Sequence, residues 1–332
     1  MKYPPHRPRV LGTRFRASLC AALLATTAGP ALAQDPLTTR CESAPIAALF
    51  KTFGETGRMP PDLGRFLQNA ALQKIEPYKA FDNVYYVGIC WVSAWLITSP
   101  RGHVLIDTLY GPYTEPMLDH IRQLGFDPKD IRQVVITHGH FDHAGGAARL
   151  KAALPQARFA MTAEGWREAA EAAAQSTGRP NAWTMIEPDL VLTDGQVLQV
   201  GDIRLQTVET PGHTMGTASY AFDAYDGGRR HRAFTVGGLG LNAIKGPEQV
   251  EAFIASIQRI RKLTEDGRDP VTTHLTTHAF SNGLTEAKDL IKGRKPGDAH
   301  PLVDPAGFRA QLDALRAGAE QRLIAERAKK PN

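Results

Sequence analysis

Downstream of residue 80 the chain alternates between two hydrophobic periods. Residues 83–87, 94–98 and 103–107 are short runs rich in β-branched and aromatic side chains. The last two are separated by the turn Pro100-Arg101-Gly102, so the three predict a β-meander. Residues 117–124 have helical spacing, 134–137 form a short apolar strand, and 145–154 predict a helix that Pro155 stops. A strand at 158–161 and an Ala- and Glu-rich helix at 163–175 follow. Beyond a loop through Pro188, residues 197–200 turn at Gly201-Asp202 into the alternating run 203–208, and further strands are predicted at 218–222, 233–236 and 271–273. A helix starting at Glu248, behind Pro247, sets Val250, Phe253, Ile257 and Ile260 on one face. A final amphipathic helix after Asp304-Pro305 carries Phe308, Leu312, Leu315, Leu323 and Ile324.

Strands that meander in groups, with helices between and after them, predict an α/β fold: an αββα sandwich, two β-sheets with helices on the outer faces, rather than a doubly wound parallel sheet. The run Gly237-Gly238-Leu239-Gly240 is a poor dinucleotide signal, because no helix start and acidic partner follow it. Residues 34–80 contain Pro, Gly and Ala with short helical patches and predict an N-terminal extension packed on a main domain at 81–332. With 42% hydrophobic and 22% charged residues in 332, there is apolar material for a large core, which excludes a disordered or collagenous chain.

Charge changes the picture only at the N-terminus. The formal charge of +5 comes from 39 basic and 34 acidic residues, and Lys2, Arg7, Arg9, Arg14 and Arg16 all lie within residues 1–33, where no acid stands. The remainder is formally neutral and gives no electrostatic case for a nucleic-acid partner. Residues 1–33 have a basic start, an apolar run at 17–28 and the small-x-small sequence Ala31-Leu32-Ala33, the three parts of a secretory signal. Cleavage is expected after Ala33, releasing a periplasmic protein with no membrane anchor, since the apolar run falls short of the roughly 20 residues a spanning helix needs. Cys20 leaves with the leader, and Cys41 and Cys90 remain as either a disulfide or two buried thiols.

The candidate chemistry begins at His138-Gly139-His140-Phe141-Asp142-His143, directly after the apolar strand. Eleven histidines in 332 residues would give a three-His pattern of this kind by accident with a chance on the order of 1% over the chain. His138 and His140, two apart at a strand end, project to one side, and the turn that follows lets Asp142 and His143 point at a second centre beside the first. Imidazole and carboxylate ligands without a thiolate suit zinc. Two metal ions need more ligands than these four residues supply, and His213, in Thr210-Pro211-Gly212-His213-Thr214, and His278, in Thr276-Thr277-His278-Ala279, are the candidates. His274 competes with His278.

The chain resembles the metallo-β-lactamase superfamily, and in detail its subclass B3 enzymes. The residues that carry the likeness are Leu105-Ile106-Asp107-Thr108, the run at 138–143, Pro211-Gly212-His213-Thr214, His278, and Pro301-Leu302-Val303-Asp304-Pro305-Ala306-Gly307. The resemblance implies two zinc ions per chain, the first held by His138, His140 and His213 and the second by Asp142, His143 and His278. It implies a zinc-bound hydroxide as nucleophile opening the amide of β-lactam antibiotics, with Asp142 relaying a proton and Asp107 orienting ligands. It also implies a small-molecule substrate, and the enzyme is expected to be a monomer. Three departures from the family pattern stand out, the first two of which bear on substrate. Gly237 stands where related thioesterases, lactonases and phosphodiesterases place a bridging Asp, and Gly238 and Gly240 stand where subclass B3 enzymes place hydroxyl residues. Asn242, Lys245, Ser281 and Asn282 are then the candidate partners of a substrate carboxylate. Val271 and Phe308 replace a C-terminal disulfide by an apolar pair. The alternative function is hydrolysis of lactones, thioesters or other esters and amides with little β-lactamase activity. Arg229-Arg230-His231-Arg232 reads as a solvated hairpin turn, and Trp91 and Trp95 as sheet packing or a wall facing substrate.

Overall fold

Two helices, α1 (Ser43–Thr56) and α2 (Pro61–Gln68), open the described part of the chain. The computed structural model describes residues 41–56, 58–242 and 244–329. The leader, Cys20 and the cleavage point after Ala33 lie outside the described residues. Cys41 and Cys90 form a disulfide with a Cα–Cα distance of 5.5 Å, fixing the start of α1 to the main body.

The first sheet has seven strands in chain order: β1 (Tyr78–Phe81), β2 (Val84–Tyr86), β3 (Trp95–Ile97), β4 (His103–Ile106), β5 (Ile131–Val135), β6 (Arg158–Thr162) and β7 (Leu190–Leu192). β1 to β4 are antiparallel, the expected meander, whereas β4 to β7 run parallel. Parallel neighbours need crossovers, and helices α3 (Thr114–Gln123), α4 (Phe141–Ala144), α5 (Ala147–Ala153) and α6 (Ala163–Ser176) provide them. The second sheet has the order β12-β11-β10-β9-β8, built from β8 (Val197–Val200), β9 (Ile203–Glu209), β10 (Ala218–Asp226), β11 (Arg229–Thr235) and β12 (Val271–His274). Helix α7 (Pro247–Leu263) connects β11 to its parallel neighbour β12, and α8 (Leu284–Lys292) and α9 (Pro305–Ala328) follow.

Side-chain alternation sorts the core into three layers. Val104 and Ile106 of β4 meet Leu205, Tyr220 and Phe222 between the sheets, while Leu105 points the other way to Met117, Leu150 and Phe159 under the helices of the first sheet. Behind the second sheet, Phe234 packs with Val250, Phe253 and Ile257 of α7 and Leu312 of α9. The αββα sandwich is therefore present. Val271 and Phe308 share that last layer as an apolar pair.

Several boundaries differ from the reading of the sequence. Tyr78–Phe81 is already the edge strand of the first sheet, so an extension ending at residue 80 would stop inside it. β5 ends at Val135, which leaves Ile136 and Thr137 in the loop that carries the histidines. The run 229–232 is no solvated turn: it opens β11, with His231 buried and Arg230 and Arg232 paired with Asp223 and Asp269. Among the described residues no helix is long and apolar enough to cross a membrane.

Candidate metal centre

Every candidate ligand sits in a segment leaving the carboxyl end of a strand, Asp142 and His143 within the short helix α4. Asp107 follows β4, His138 to His143 follow β5, His213 follows β9, the glycine run follows β11 and His278 follows β12. The two sheets are joined there, because Ala218 N–H donates to the Thr137 carbonyl at 2.8 Å and the Tyr220 hydroxyl donates to the Ile136 carbonyl at 2.9 Å.

The structure brings the predicted residues into two trios. In the first, His138 Nε2 lies 3.0 Å from His140 Nδ1, and His213 Nε2 lies 3.1 Å from each of them. In the second, His143 Nε2 lies 3.3 Å from His278 Nε2 and 3.2 Å from Asp142 Oδ2, which is 3.7 Å from His278 Nε2. The trios adjoin, with the His138 and His143 ring centroids 4.3 Å apart. His274 stays out: its ring stacks on Phe308 and its Nδ1 donates to Gln311 Oε1 at 2.9 Å.

The far side of the rings decides what the near side can do. His213 Nδ1 donates to the Gly240 carbonyl at 2.6 Å, and His278 Nδ1 donates to the Trp91 carbonyl at 3.0 Å. His143 Nδ1 donates to Asp107 Oδ2 at 2.8 Å. The Thr137 hydroxyl, 3.0 Å from both Asp107 oxygens, donates to that carboxylate and accepts from His138 Nδ1 at 3.1 Å. An imidazole whose proton is held at Nδ1 presents a bare lone pair at Nε2. Four such lone pairs, with His140 Nδ1 and the Asp142 carboxylate, converge at distances that repel unless a cation lies among them. The donor set fits a divalent metal in each trio.

Electrostatics agree. Burial pushes His138 and His213 below the ordinary imidazole value, takes His140 to about 3 and His278 to about 4, and the neighbouring rings add to this. His143 is the exception. Burial opposes its charge, but the Asp142 and Asp107 carboxylates raise it to about 10. Burial would raise the Asp142 carboxyl, yet the His143 and His278 rings hold it well below the usual carboxylate range.

Asp107 is the main fixture. It is buried, adopts a left-handed φ of 65°, and also accepts the Thr137 backbone N–H at 2.8 Å. Aspartate is one of the few residues that visits this region readily. The glycines after β11 have an equally concrete role. A Cβ on Gly237 would come 2.0 Å from the Ala218 carbonyl, and one on Gly238 would come 2.4 Å from the His213 ring. A side chain at either place would displace the very backbone that carries the Gly240 carbonyl under His213.

The trios open on a cavity of about 1060 Å³ whose wall includes His140, Asp142, His213 and His278. Of the candidate substrate partners, Asn242 and Ser281 line it, whereas Lys245 and Asn282 are not among its lining residues. Asn282 instead donates to the His274 carbonyl, and the Ser281 hydroxyl donates to the His278 carbonyl. The tryptophans divide: Trp91 lines the cavity, and Trp95 is buried between the sheets with its indole N–H on the Thr276 carbonyl. Thr137 and the carbonyls of Trp91 and Gly240 were not singled out from the sequence. Only the place of Thr137, between a strand and a histidine pair, could have pointed to it.

Fold and site together define a metal-binding hydrolase of the metallo-β-lactamase fold. The sequence profile of the metallo-beta-lactamase superfamily matches residues 87–226 of the chain. Among solved structures it is similar to the native FEZ-1 metallo-beta-lactamase from Legionella gormanii, at 25% identity and a TM-score of 0.69, over 77% of this chain and 98% of that one. BJP-1, a subclass B3 metallo-beta-lactamase of Bradyrhizobium japonicum, shares the fold at 23% identity and a TM-score of 0.66, over 77% of this chain and 96% of that one. The resemblance to subclass B3 stands on these likenesses. Among curated sequences, a hydroxyacylglutathione hydrolase of Bradyrhizobium sp. (strain ORS 278) is 34% identical over 104 residues, 31% of this chain and 34% of that protein. The matched stretch thus spans about a third of that relative's length. An N-acyl homoserine lactonase AttM of Azorhizobium caulinodans is 28% identical over 218 residues, 55% of this chain and 81% of that protein.

Proposed function

We propose that the protein is a periplasmic hydrolase that uses two zinc ions to open an acyl–heteroatom bond in a small molecule. The observation that carries this reading is the convergence of lone pairs from five histidines and of the Asp142 carboxylate on two adjoining points at one end of a cavity. When bound, a zinc pair supplies Lewis acidity toward a carbonyl oxygen and activates water as a nucleophile near neutral pH. The chain's own residues do the rest. Asp107, Thr137 and the Trp91 and Gly240 carbonyls hold the imidazoles with their lone pairs forward. Trp91 and Phe141 line the cavity beside the ligands. Asp142, in the cavity wall, is placed to pass a proton to the departing heteroatom.

Two scissile bonds are consistent with the site. Opening of a β-lactam amide, and with it antibiotic resistance, is supported by the likeness to subclass B3 structures. Cleavage of an ester or lactone is favoured by the cavity, because Trp91, Phe141, Leu239 and Leu241 around the ligands are apolar and Lys245 lies outside it. Steady-state kinetics on penicillins, cephalosporins and carbapenems beside a lactone and thioester panel, with and without a chelator, separates them. Turnover that a chelator abolishes and zinc restores is expected on at least one panel. Chelator-resistant turnover would refute the zinc reading, and zinc bound without hydrolysis of any substrate would refute the enzyme.

A further inference from the structure

The cavity is far longer than the metal centre needs. From the ligands it runs out between α1 and α9, where Phe50, Phe53, Phe280, Ala314 and Leu315 form its wall. The lining positions on α9 extend from Gln311 to Ala325, about 21 Å at 1.5 Å rise per residue. Phe50 of α1 stacks on Phe280 at 4.6 Å between ring centroids and reaches toward Trp91 at 6.3 Å, so one aromatic surface joins the trench to the second trio. Trp91, which lines the cavity where the trench meets the metal end, is buried, and its indole N–H has no hydrogen-bond partner among the described residues.

Two helix glycines set the width of the trench. Gly54 in α1 and Gly318 in the middle of α9 both line it, and a Cβ at either would meet nothing within 4 Å. A glycine inside a helix costs stability relative to alanine, and neither packing nor a positive φ calls for one at these positions. What both preserve is empty space facing the cavity. Among the described residues that line the cavity, Asp142 is the one acid.

We propose that the trench between α1 and α9 is an acyl-chain subsite, and that the substrate is an ester, lactone or amide bearing a long unbranched acyl chain whose carbonyl lies at the metal centre. This rests on the hydrolase reading above and narrows its substrate class. Burial of successive methylenes along Phe53, Leu315 and the helix glycines supplies the selectivity.

The test uses zinc-loaded full chain and straight-chain acyl esters of one chromogenic phenol, from acetyl to dodecanoyl. In the wild type, kcat/KM should rise about three- to fourfold per added methylene until the trench is full. Gly318→Leu, which the open space accommodates and which improves helix propensity, should lower the dodecanoyl value at least tenfold and leave the acetyl value unchanged. Gly54→Leu should do the same from the opposite wall. Dodecanol binding, followed by calorimetry, supplies a readout free of turnover and should weaken at least tenfold in each variant. A flat chain-length profile with the acetyl ester still hydrolysed, or profiles unchanged in both variants, overturns the subsite alone. No hydrolysis of any ester, lactone or β-lactam, with dodecanol binding that the leucines abolish, overturns the hydrolase reading and upholds the subsite. Absence of dodecanol binding overturns the subsite whatever the kinetics.

Discussion

The two ends of the cavity are built on opposite terms. At the metal end the ligands are buried or half-buried, and most are tied from behind: Asp107 alone accepts from Thr137 twice and from His143 once. The loops there spring from strand ends inside two stitched sheets. At the trench end the walls are helices with many exposed positions. Helix α1 is fastened by the Cys41–Cys90 disulfide and by Ser43, whose backbone N–H and hydroxyl each donate to the Glu286 carboxylate at 2.6 Å. Rigid strand ends can hold ligand atoms to fractions of an ångström, which the chemistry demands, whereas helices on the rim can change the shape of a substrate site without moving those atoms.

That contrast can be broken experimentally, and the largest effect is expected at the ligands. His140→Ala or Asp142→Ala should lower kcat by more than about a hundredfold with an unchanged circular-dichroism spectrum. Wild-type rates from either would mean that the metal end is not where the chemistry occurs. Next comes Asp107→Asn, which weakens the acceptor for His143 Nδ1 and for Thr137. It should reduce zinc affinity about 10- to 100-fold, measured by competition with a chromogenic chelator. An unaltered affinity would show that the imidazoles need no fixing from behind.

At the other end, Cys41→Ser should remove roughly 2 to 4 kcal/mol of stability, because the bridge closes a loop with a sequence separation of 49 residues. Thermal unfolding reads the loss, while zinc stoichiometry and acetyl-ester turnover should hold, since Gln73 independently accepts the Cys90 N–H and receives the Trp91 N–H on its side chain. If zinc is lost with the disulfide, the two ends are one unit and the comparison fails. The smallest effect concerns Glu286. Burial would raise its carboxyl, but donation from Ser43 and Thr285 holds it below its ordinary 4.5. A depressed carboxyl contributes stability above 4.5 that is lost as pH falls through the folded value, so acid should loosen α1 first. Glu286→Gln should flatten the difference in denaturant midpoint between about pH 6 and pH 3, by under about 1 kcal/mol because the carboxylate is open to water. An identical pH profile in the variant would place the anchoring elsewhere.

Much of the metal end was legible because its residues are few, chemically distinctive and locally spaced: His138, His140, Asp142 and His143 fall within six positions. The choice of His278 over His274 came from the family resemblance and not from local pattern; His278 lies in the second trio, and His274 is bonded to Gln311. Thr137 and the Gly240 and Trp91 carbonyls were not legible, because a backbone oxygen has no signature in a sequence and its partner lies tens of residues away. The parallel half of the first sheet was underread for a similar reason. The strand Leu190–Leu192 is three residues long, and only β6 beside it makes it a strand.

The amino-acid order by itself determined the alternation that sorts side chains between sheets and helices, and the identity of the groups able to hold a metal, since both depend on local period and side-chain chemistry. Which nitrogen of each ring faces inward, which glycines preserve space and which helices border the cavity were decided only by tertiary structure. These depend on groups brought together across 30 to 243 residues, such as Asp107 with Thr137 and Ser43 with Glu286. No local pattern encodes such a meeting, because the free energy that enforces it comes from burying the whole core at once.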